Sequence, residues 1–396
     1  MLPGHPRIVS TDDARRLAKR RLPRLVYDFV EGAAGREVGA RRNERRFDDL
    51  MLQSRVMEDV ATRDLTTRFL ERDYGVPFGI APMGMCNLVW PGADRILAEA
   101  ARGLDMPVCL SSAGSSTMED MHRWAGDNAW FQLYFGQSEE ASLASVERAR
   151  RAGYDTLVLT VDVPEVTRRV RDLRNGFTMP FRMTPRAFWD FATHPRWALA
   201  TLAAGVPSPR NISGADSGAK FDRTASRAGA NWRFLSRLRA QWSGKLIVKG
   251  VTAPEDAKRV QSMGADAIYV SNHGARQLDS APAAIDLLPR IRDAVGPSVP
   301  LLFDGGVRQG EDVVKALALG ADLVMLGRAA LFGLGAGGGP GLHGLLRCFA
   351  EDVSLAMAQI GVKTVAEITP STLYGAMGTA HDVDPPKPNL HIAAKT

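Results

Sequence analysis

The chain alternates short apolar runs with longer stretches of helical period, and this alternation limits the possible folds more than any other feature. Eight apolar runs recur along it, at residues 76–81, 107–110, 129–133, 156–161, 245–248, 267–270, 299–303 and 323–326. Repeated strand-then-helix order predicts a parallel sheet, and continuous rather than alternating hydrophobicity predicts strands covered on both faces. Eight such units predict an α/β fold of the (β/α)8 TIM-barrel type. An open, doubly wound sheet is the alternative, because spacing alone does not prove closure.

The segments that lie outside this alternation of strands and helices predict how the chain is divided into an N-terminal extension, a barrel and a C-terminal tail. Residues 1–70 are expected to form an N-terminal helical extension, in which Ser10 and Asp13 match a capping box and Pro23 starts a second helix. Residues 71–375 would form the barrel, with a long loop after strand four inserted at 163–244, and residues 376–396 a C-terminal tail. Loops of that length are more often functional or disordered than structural filler. Its polar second half, residues 208–229, is expected to be mobile.

Composition excludes several classes of protein. The three cysteines, Cys86, Cys109 and Cys348, form no CxxC pair, which argues against a disulfide framework and a zinc site and suits a reducing cytoplasm. No metal is therefore expected. The basic N-terminus lacks the apolar core of a signal peptide, and no apolar run reaches the length of a spanning helix. The net charge of +6 favours anionic partners without choosing among them.

Polar and titratable residues follow each predicted strand. Barrel enzymes carry their catalytic residues at the carboxyl ends of the strands, so these residues are expected to converge on one rim. They are Ala81 to Gly84, Ser111 to Ala113, Gln132 and Tyr134, Thr160 and Asp162, Lys249, Ser271 to Gly274, Asp304 to Arg308, and Gly327 with Arg328.

The last two of these strand ends predict a phosphate site. Glycine-rich turns after strands seven and eight form the usual phosphate cradle of such barrels, because backbone N–H groups can approach an anion where no Cβ intrudes. Gly305 and Gly306 precede Arg308, and Gly327 precedes Arg328. Glycine pairs in tight turns are often purely structural, but an arginine in each turn favours phosphate binding.

His273 is the candidate general base. A histidine titrates near neutral pH, and this one stands at a strand end three residues before Arg276, a cation suited to a substrate carboxylate. Arg169 is a candidate for a second carboxylate contact. It lies in a basic run with Arg168 and Arg171, and spacing alone does not choose among them.

These residues together resemble the FMN-dependent 2-hydroxy-acid dehydrogenases and oxidases, the family of glycolate oxidase, flavocytochrome b2, L-lactate dehydrogenase and mandelate dehydrogenase. The segment 271–279, with the sequence SNHGARQLD, is similar to the family signature. Seven further motifs follow the family order: YDF at 27–29, APMG at 81–84, FQLY at 131–134, TVD at 160–162, VKG at 248–250, DGGVR at 304–308 and LGR at 326–328.

The resemblance implies a role for each site residue. His273 would be the base while two electrons pass to flavin N5, and Asp162 would steady its imidazolium. Arg169 and Arg276 would hold the substrate carboxylate, with Tyr27 and Tyr134 as hydrogen-bond donors. Lys249 would face flavin N1 and O2. The remaining FMN contacts would come from Ala81, Met83, Ser111, Gln132, Thr160 and Ser271 around the ring, and from Asp304, Gly306, Arg308, Gly327 and Arg328 around the phosphate.

Two further features bear on the substrate and the electron acceptor. Ala113 stands where glycolate oxidase carries a tryptophan, which resembles the lactate and mandelate dehydrogenases and slightly favours mandelate-like acids. The segment 181–206 interleaves basic residues with Phe181, Phe188, Trp189 and Trp197, similar to the insertion that attaches bacterial mandelate and lactate dehydrogenases to the inner membrane. The alternative is that these aromatic residues pack the loop onto the barrel.

The resulting hypothesis is a cytoplasmic enzyme, peripheral on the inner membrane, that passes electrons to a quinone-type acceptor. The family often forms tetramers, so a homo-oligomer is expected. Three alternatives are an oxidase of the same family that uses O2, an FMN-barrel isomerase of an isoprenoid diphosphate, and a non-enzymatic binder of nucleic acid. The isomerase has no need of the tyrosine, arginine and histidine set, and no interleaved RNA-binding signature is present. No nucleic-acid partner is therefore expected.

Overall fold

The predicted strand runs assemble into one closed barrel. The computed structural model describes residues 8–177, 183–211 and 226–375. A short antiparallel hairpin, β1 (Thr67–Phe69) and β2 (Arg72–Tyr74), precedes the barrel strands. Those strands are β3 (Phe78–Met83), β4 (Val108–Ser111), β5 (Ala129–Leu133), β6 (Thr156–Thr160), β7 (Lys245–Val251), β8 (Ala267–Val270), β9 (Leu301–Phe303) and β10 (Leu323–Leu326). Each pairs in parallel with its sequence neighbours, and β10 closes the ring on β3 with Val324 opposite Phe78. The closed barrel is confirmed and the open sheet excluded.

Side chains of alternate residues fill the barrel interior. They include Cys109, Trp130, Val158, Ile247, Tyr269, Leu302 and Met325, all buried. The β1–β2 hairpin covers the amino end of the barrel, because the rings of Phe69 and Tyr74 lie 5.9 and 6.3 Å from that of Trp130. The amino end of the barrel is therefore filled by packed side chains, and an active site is expected at the carboxyl ends of the strands.

Helices surround the barrel, and along the chain they lie between successive strands. In chain order they are α1 (Thr11–Arg21), α2 (Arg24–Glu31), α3 (Val38–Asp48), α4 (Cys86–Val89), α5 (Ala93–Gly103), α6 (Met118–Ala125), α7 (Glu139–Arg151), α8 (Val170–Arg174), α9 (Pro185–Ala192), α10 (Pro195–Ala204), α11 (Trp232–Gln241), α12 (Pro254–Ser262), α13 (Ala284–Val295), α14 (Gly310–Ala318) and α15 (Arg328–Gln359). Helix α15 is broken where Gly337 and Gly338 leave helical backbone angles. Short 3-10 turns lie at Gly126–Asn128, His273–Ala275, Val365–Glu367 and Pro370–Thr372.

The N-terminal helices pack against the barrel rather than standing apart from it. Ser10 accepts a hydrogen bond from the Asp13 N–H, as the capping pattern predicts, and α1 buries Ala14 and Ala18. The expected boundary between residues 70 and 71 falls in the turn of the β1–β2 hairpin. The division into segments stays a prediction, and the tail at 376–396 lies outside the described residues.

Helices α9 and α10 of the insertion after β6 are anchored on the rest of the molecule. The Asp190 carboxylate accepts hydrogen bonds from the N–H groups of Arg24 (2.9 Å) and Leu25 (3.0 Å) at the start of α2. The indole of Trp197 donates to the carbonyl oxygen of Leu88 at 3.0 Å. These contacts bear out part of the packing alternative, because one predicted aromatic residue faces inward.

Other side chains of the insertion lie on its surface. The exposed apolar set of the insertion, taken from its described residues 183–206, comprises Met183, Phe188, Trp189, Leu199, Leu202 and Val206. Phe181 and Arg182, also part of the predicted aromatic and basic segment, lie outside the described residues, as does most of the stretch expected to be mobile. Within the ranges described, the helices are all too short or too polar to cross a membrane.

Candidate active site

His273 and Asp162 meet at the carboxyl ends of two different strands. His273 follows β8 and Asp162 follows β6, and the imidazole Nδ1 lies 3.0 and 3.2 Å from the two carboxylate oxygens. His273 has a φ of +57°, in the left-handed region that a side chain other than glycine rarely adopts. Its N–H donates to Ser271 Oγ at 3.0 Å, which helps to hold this strained turn. In this conformation the ring contacts Asp162 and lines the cavity.

The Asp162 carboxylate stays ionised despite its burial. Burial raises its pKa, but attraction to the His273 imidazole and the hydrogen bond between them outweigh that effect, and the pKa is lowered below its ordinary value. An ionised carboxylate only accepts hydrogen bonds, so Nδ1 of His273 carries the hydrogen. In the neutral imidazole, Nε2 is then the proton acceptor, and it lies 3.4 Å from the Tyr134 hydroxyl.

The Tyr134 hydroxyl remains protonated beside the histidine. Burial raises the pKa of Tyr134, and the nearby negative charge of Asp162 raises it further. Arg227 stacks on the same ring, with its guanidinium carbon 5.1 Å from the ring centroid. Tyr134 can therefore donate a hydrogen bond to an oxygen in the cavity at neutral pH.

Two guanidinium groups line the same cavity beside an aromatic ring. The guanidinium carbons of Arg169 and Arg276 lie 5.7 and 5.6 Å from the Phe29 ring centroid. Arg169 Nε is 3.2 Å from an Asp172 carboxylate oxygen. Nη1 of Arg276 donates to the carbonyl oxygens of Phe29 (3.1 Å), Val30 (3.3 Å) and Gly32 (2.8 Å) at the carboxyl end of α2. The negative end of the helix dipole thus fixes one of the two cations.

Lys249 is held in the barrel mouth by a small polar cluster. Its ammonium nitrogen lies 2.6 Å from Ser271 Oγ, 3.1 Å from Asp304 Oδ2 and 4.5 Å from the centre of the Tyr269 ring. The Tyr269 hydroxyl donates to Asp304 at 2.8 Å, and burial followed by the Asp304 charge raises the pKa of Tyr269. A buried cation paired in this way is fixed in position at the cavity wall.

The glycine turns after β9 and β10 place two arginines at one end of the cavity. Gly306 has a φ of +96°, and a Cβ there would lie 2.2 Å from the Asn43 carbonyl oxygen, so only glycine fits. The guanidinium of Arg328 donates to the carbonyl oxygens of Val30, Gly32 and Gly274, at 3.0–3.1 Å. Burial and the neighbouring Arg308 lower the pKa of Arg328 to about 10. An anion bound here would stabilise both cations.

The residues of the cavity fit a bound FMN. Among the described residues that are predicted to hold FMN, three buried polar atoms have no hydrogen-bond partner: Gln132 Nε2, Thr160 Oγ1 and Arg308 Nε. Buried polar groups normally have partners, so such orphans point to a missing ligand. Two of them lie among the residues predicted to contact the flavin ring, and Arg308 Nε is at the predicted phosphate end. A Cβ on Gly327 would meet only open space, which leaves its backbone accessible from the cavity.

Most of the predicted site residues are brought together here. Those that line the cavity are Ala81, Met83, Ser111, Tyr134, Thr160, Arg169, Lys249, His273, Arg276, Asp304, Gly306, Arg308, Gly327 and Arg328. Asp162, Gln132 and Ser271 lie behind them and contact lining residues, since Ser111 donates to Gln132 Oε1 at 2.8 Å. Ala113 also lines the cavity.

Tyr27 is not brought to this group, which corrects the sequence prediction. Its hydroxyl donates to Glu31 at 3.3 Å and its ring packs 6.3 Å from that of Phe332. Tyr27 borders a separate surface pocket instead, while Phe29 lines the cavity. Residues two apart on an α-helix point about 200° apart, so the motif at 27–29 presents only one of its two rings to the site.

The lining residues that the sequence analysis did not predict include Phe29 and Arg227. Phe29 belongs to the motif at 27–29, but no local pattern decides which of the two rings of that motif faces the cavity. Arg227 had no local signal. It belongs to the polar second half of the insertion, where neither periodicity nor a motif marks it.

Comparison with known proteins places these residues in context. Residues 18–375 match the protein family described as FMN-dependent dehydrogenase. The chain is 38% identical to (S)-mandelate dehydrogenase of Pseudomonas putida over 380 residues, covering 94% of this chain and 96% of that protein. It is 36% identical to L-lactate dehydrogenase of Pseudomonas syringae pv. syringae over 383 residues, covering 93% and 99%.

Solved structures agree with the sequence relatives. The fold superposes on a crystal structure of the monotopic membrane protein (S)-mandelate dehydrogenase with a TM-score of 0.89 at 37% identity, covering 93% of this chain and 99% of that one. A mandelate oxidase structure matches with a TM-score of 0.79 at 34% identity, covering 92% and 98%.

Proposed function

The chain belongs to the family of FMN-dependent dehydrogenases, and on that premise we propose that it oxidises an L-2-hydroxy acid, mandelate-like or lactate-like, to the 2-keto acid. The observation that carries the proposal is the His273–Asp162 pair: His273 lines a cavity that is also lined by Arg169 and Arg276. A base, a hydrogen-bond donor and carboxylate-binding cations are the groups this chemistry requires. The names of the relatives, mandelate and L-lactate dehydrogenases, support the same reaction.

FMN would lie along the cavity with its phosphate at the two glycine turns. Arg308 and Arg328 would pair with the phosphate, and Gly306 and Gly327 would let it approach the backbone. Asp304 and Ser271 would contact the cofactor from the Lys249 cluster. Ala81, Met83, Ser111, Gln132 and Thr160 would surround the ring system, where two of the orphaned polar atoms lie. When bound, FMN supplies a two-electron acceptor.

His273 would act as the general base. Its Nε2 accepts a proton from the substrate, and the ionised Asp162 stabilises the imidazolium that forms. The Tyr134 hydroxyl donates a hydrogen bond to the substrate hydroxyl or keto oxygen, because it stays protonated next to Nε2. Arg169 and Arg276 bind the substrate carboxylate and orient C2.

Lys249 would place a fixed positive charge beside the site where electrons arrive. Its ammonium group is buried and paired with Asp304 and Ser271, so it does not reorganise during the reaction. A preorganised cation stabilises negative charge more strongly in a cavity from which water is excluded than in solution. This residue would therefore favour acceptance of the electrons.

The electron acceptor is proposed to be a quinone reached at a membrane surface. The exposed apolar set of the insertion supports this, with Trp189 68% and Leu199 67% exposed. A relative that superposes well is described as a monotopic membrane protein. The protein would then be peripheral on the inner membrane. A homotetramer remains a prediction.

An oxidase of the same family is the second candidate, because a mandelate oxidase structure also matches the fold. The two differ in what reoxidises the flavin. Stoichiometric H2O2 formed during aerobic turnover without an added acceptor would identify the oxidase. Its absence, together with rapid reduction of a quinone analogue, would identify the dehydrogenase.

The decisive experiment is anaerobic mixing of the purified holoenzyme with a panel of L-2-hydroxy acids while the flavin absorbance is followed. We expect bleaching by at least one L-acid, with its D-enantiomer as the matched control. A protein that carries no flavin, or whose flavin is bleached by none of the acids, would contradict the proposal.

A further inference from the structure

The end of α2, residues 29–32, binds two arginines of the cavity at once. The carbonyl oxygen of Gly32 accepts hydrogen bonds from Arg276 Nη1 at 2.8 Å and from Arg328 Nη2 at 3.0 Å. The carbonyl oxygen of Val30 accepts from the same two side chains, at 3.3 Å from Arg276 Nη1 and 3.1 Å from Arg328 Nε. A carbonyl oxygen has two lone pairs, so it can serve both guanidinium groups. Two cations that line the cavity are therefore held by the same backbone atoms.

These carbonyl groups can accept from side chains because the helix ends here. The last carbonyl groups of a helix have no partner within it, and they lie at the negative end of the helix dipole. Gly32 follows α2 with a φ of −60° and a ψ of 149°, an extended conformation that leaves the helical pattern. The missing donors come from two distant parts of the chain, because Arg276 follows β8 and Arg328 follows β10.

Side-chain contacts hold the end of α2 in place. The Asp28 carboxylate accepts hydrogen bonds from Arg171 Nη1 at 3.2 Å and from Asn175 Nδ2 at 2.7 Å. One turn along the helix face, Glu31 Oε2 accepts from Arg15 Nε at 3.1 Å. A carbonyl group on a backbone that is fixed in this way restricts the position of each guanidinium that binds it.

Residue 32 must be a glycine because of a close contact and not because of its backbone angles. Its φ of −60° is one that every residue adopts. A Cβ there would lie 2.6 Å from the carbonyl oxygen of Asp28, which also accepts the Gly32 N–H at 2.9 Å. An added methyl group must therefore displace the end of α2, and the carbonyl oxygens of Val30 and Gly32 would move with it.

We propose that Gly32 is a positioning residue that places Arg276 and Arg328 together, so that one turn of backbone sets both the substrate site and the phosphate site. This inference rests on the proposed function, in which Arg276 binds the substrate carboxylate and Arg328 the phosphate of FMN. A displacement of about 1 Å in a binding group can cost as much as about 100-fold in rate. A shift of the shared turn should therefore weaken both ligands, whereas two independent sites would respond separately.

The test is Gly32→Ala with two binding measurements. Fluorescence of FMN released on dilution gives the dissociation constant of the cofactor. Perturbation of the flavin spectrum in FMN-saturated protein gives that of a 2-keto acid, either phenylglyoxylate or pyruvate, whichever is the product of the faster reducing acid. We expect both affinities to fall by about 3- to 30-fold, because each arginine is displaced but kept.

Gly75→Ala is the matched control. It follows β2 at the amino end of the barrel, and a Cβ there would lie 2.8 Å from the carbonyl oxygen of Leu104. The added methyl group thus makes a similar close contact with a carbonyl group, away from the cavity. Gly75→Ala should lower the thermal stability and leave both affinities unchanged.

Double variants show whether Gly32 acts through the two arginines. In an Arg276→Gln background, Gly32→Ala should weaken keto-acid binding by less than about threefold more, while FMN binding still falls. In an Arg328→Gln background, the further loss should instead disappear from FMN binding. Groups that act through one another give non-additive effects, whereas a general loosening of the fold would add the same factor in every background.

A second variant covers the case in which Gly32→Ala does not fold. Asp28→Asn keeps the shape of the side chain and weakens its ion pair with Arg171, so the end of α2 is held less firmly. Both affinities should then fall together, by about two- to fivefold, the range for one partly exposed ion pair.

The outcomes separate this inference from the function beneath it. Unchanged affinities in the folded variants, a loss confined to one ligand, or equal added losses in every background would overturn the role of Gly32 and leave the proposed function standing. A wild-type holoenzyme whose flavin is bleached by none of the L-2-hydroxy acids would instead remove the proposed function.

Discussion

The barrel rim and the exposed apolar set of the insertion differ in how their side chains are held. At the rim, His273, Lys249 and Arg276 are each fixed by hydrogen bonds to named partners from other strands or helices. In the insertion, Trp189 and Leu199 project into solvent from helices anchored elsewhere, through Asp190 and Trp197. Function at the rim thus depends on single atoms in defined positions, whereas function in the insertion depends on summed apolar area. Single substitutions should therefore have large effects at the rim and smaller, additive ones in the insertion.

The largest effect is expected at His273. His273→Gln removes the proton acceptor but keeps a polar side chain of similar size, so flavin reduction by the hydroxy acid should slow by about 10²- to 10⁴-fold. The flavin absorbance of the purified protein should persist, because His273 is not at the phosphate end of the cavity. Stopped-flow bleaching is the measurement, and His343→Gln, on the exposed side of α15, is the control. Near-normal bleaching in His273→Gln would remove its assignment as the base.

The next largest effect is expected at the phosphate end. Arg308 Nε is buried without a partner within the described ranges, while its Nη2 lies 2.7 Å from Glu44. Arg308→Gln should weaken FMN binding by about 10- to 100-fold, the range for hydrogen bonds to a charged group. Fluorescence of FMN released on dilution measures the dissociation constant, with Arg347→Gln on the surface of α15 as the control. Unchanged retention of FMN would show that the phosphate does not lie at Arg308.

The insertion should respond more weakly to each substitution. Deleting residues 181–206 would also remove the Asp190 cap of α2 and the Trp197 contact, so charges in the exposed apolar set give a cleaner test. Trp189→Glu with Leu199→Glu should lower binding to anionic lipid vesicles by about tenfold or more, given the apolar area lost. Quinone reduction should slow more than dye reduction. Leu355→Glu, at a leucine 60% exposed on α15, is the control. Equal vesicle binding by all variants would exclude a membrane role for this set.

The sequence predicted the barrel and most of its rim because both follow from local patterns. Each apolar run from 76–81 to 323–326 overlaps a barrel strand, since strands covered on both faces must be continuously apolar. Once the strands are known, a residue such as Lys249 or Thr160 must lie at the rim, because parallel strands all end on the same side. The position of a residue at the carboxyl end of its strand therefore determines whether it lines the cavity.

The remaining features depend on how distant segments dock, which local patterns do not encode. Arg227 reaches the cavity only because its N–H binds the Pro164 carbonyl across the insertion. The carbonyl oxygens that hold Arg276 and Arg328 come from the end of α2, far from either arginine in sequence. The choice between Tyr27 and Phe29 depends on the rotation of α2 about its own axis. A motif shows that the helix is used, but not which of its faces meets the barrel.

The smallest effect is expected at Tyr27, which the rotation of α2 places outside the cavity. This substitution tests whether the residues of the barrel rim are as firmly fixed as the comparison with the insertion assumes. Tyr27 belongs to a site motif, yet its hydroxyl contacts Glu31 at 3.3 Å outside the cavity. Tyr27→Phe removes one long, partly exposed hydrogen bond, so flavin reduction should change by less than about threefold. The same stopped-flow assay measures it, with the wild-type rate on the same acid as the reference. A loss of tenfold or more would mean that α2 turns toward the substrate during catalysis, and the rim would then be less firmly fixed than its hydrogen bonds indicate.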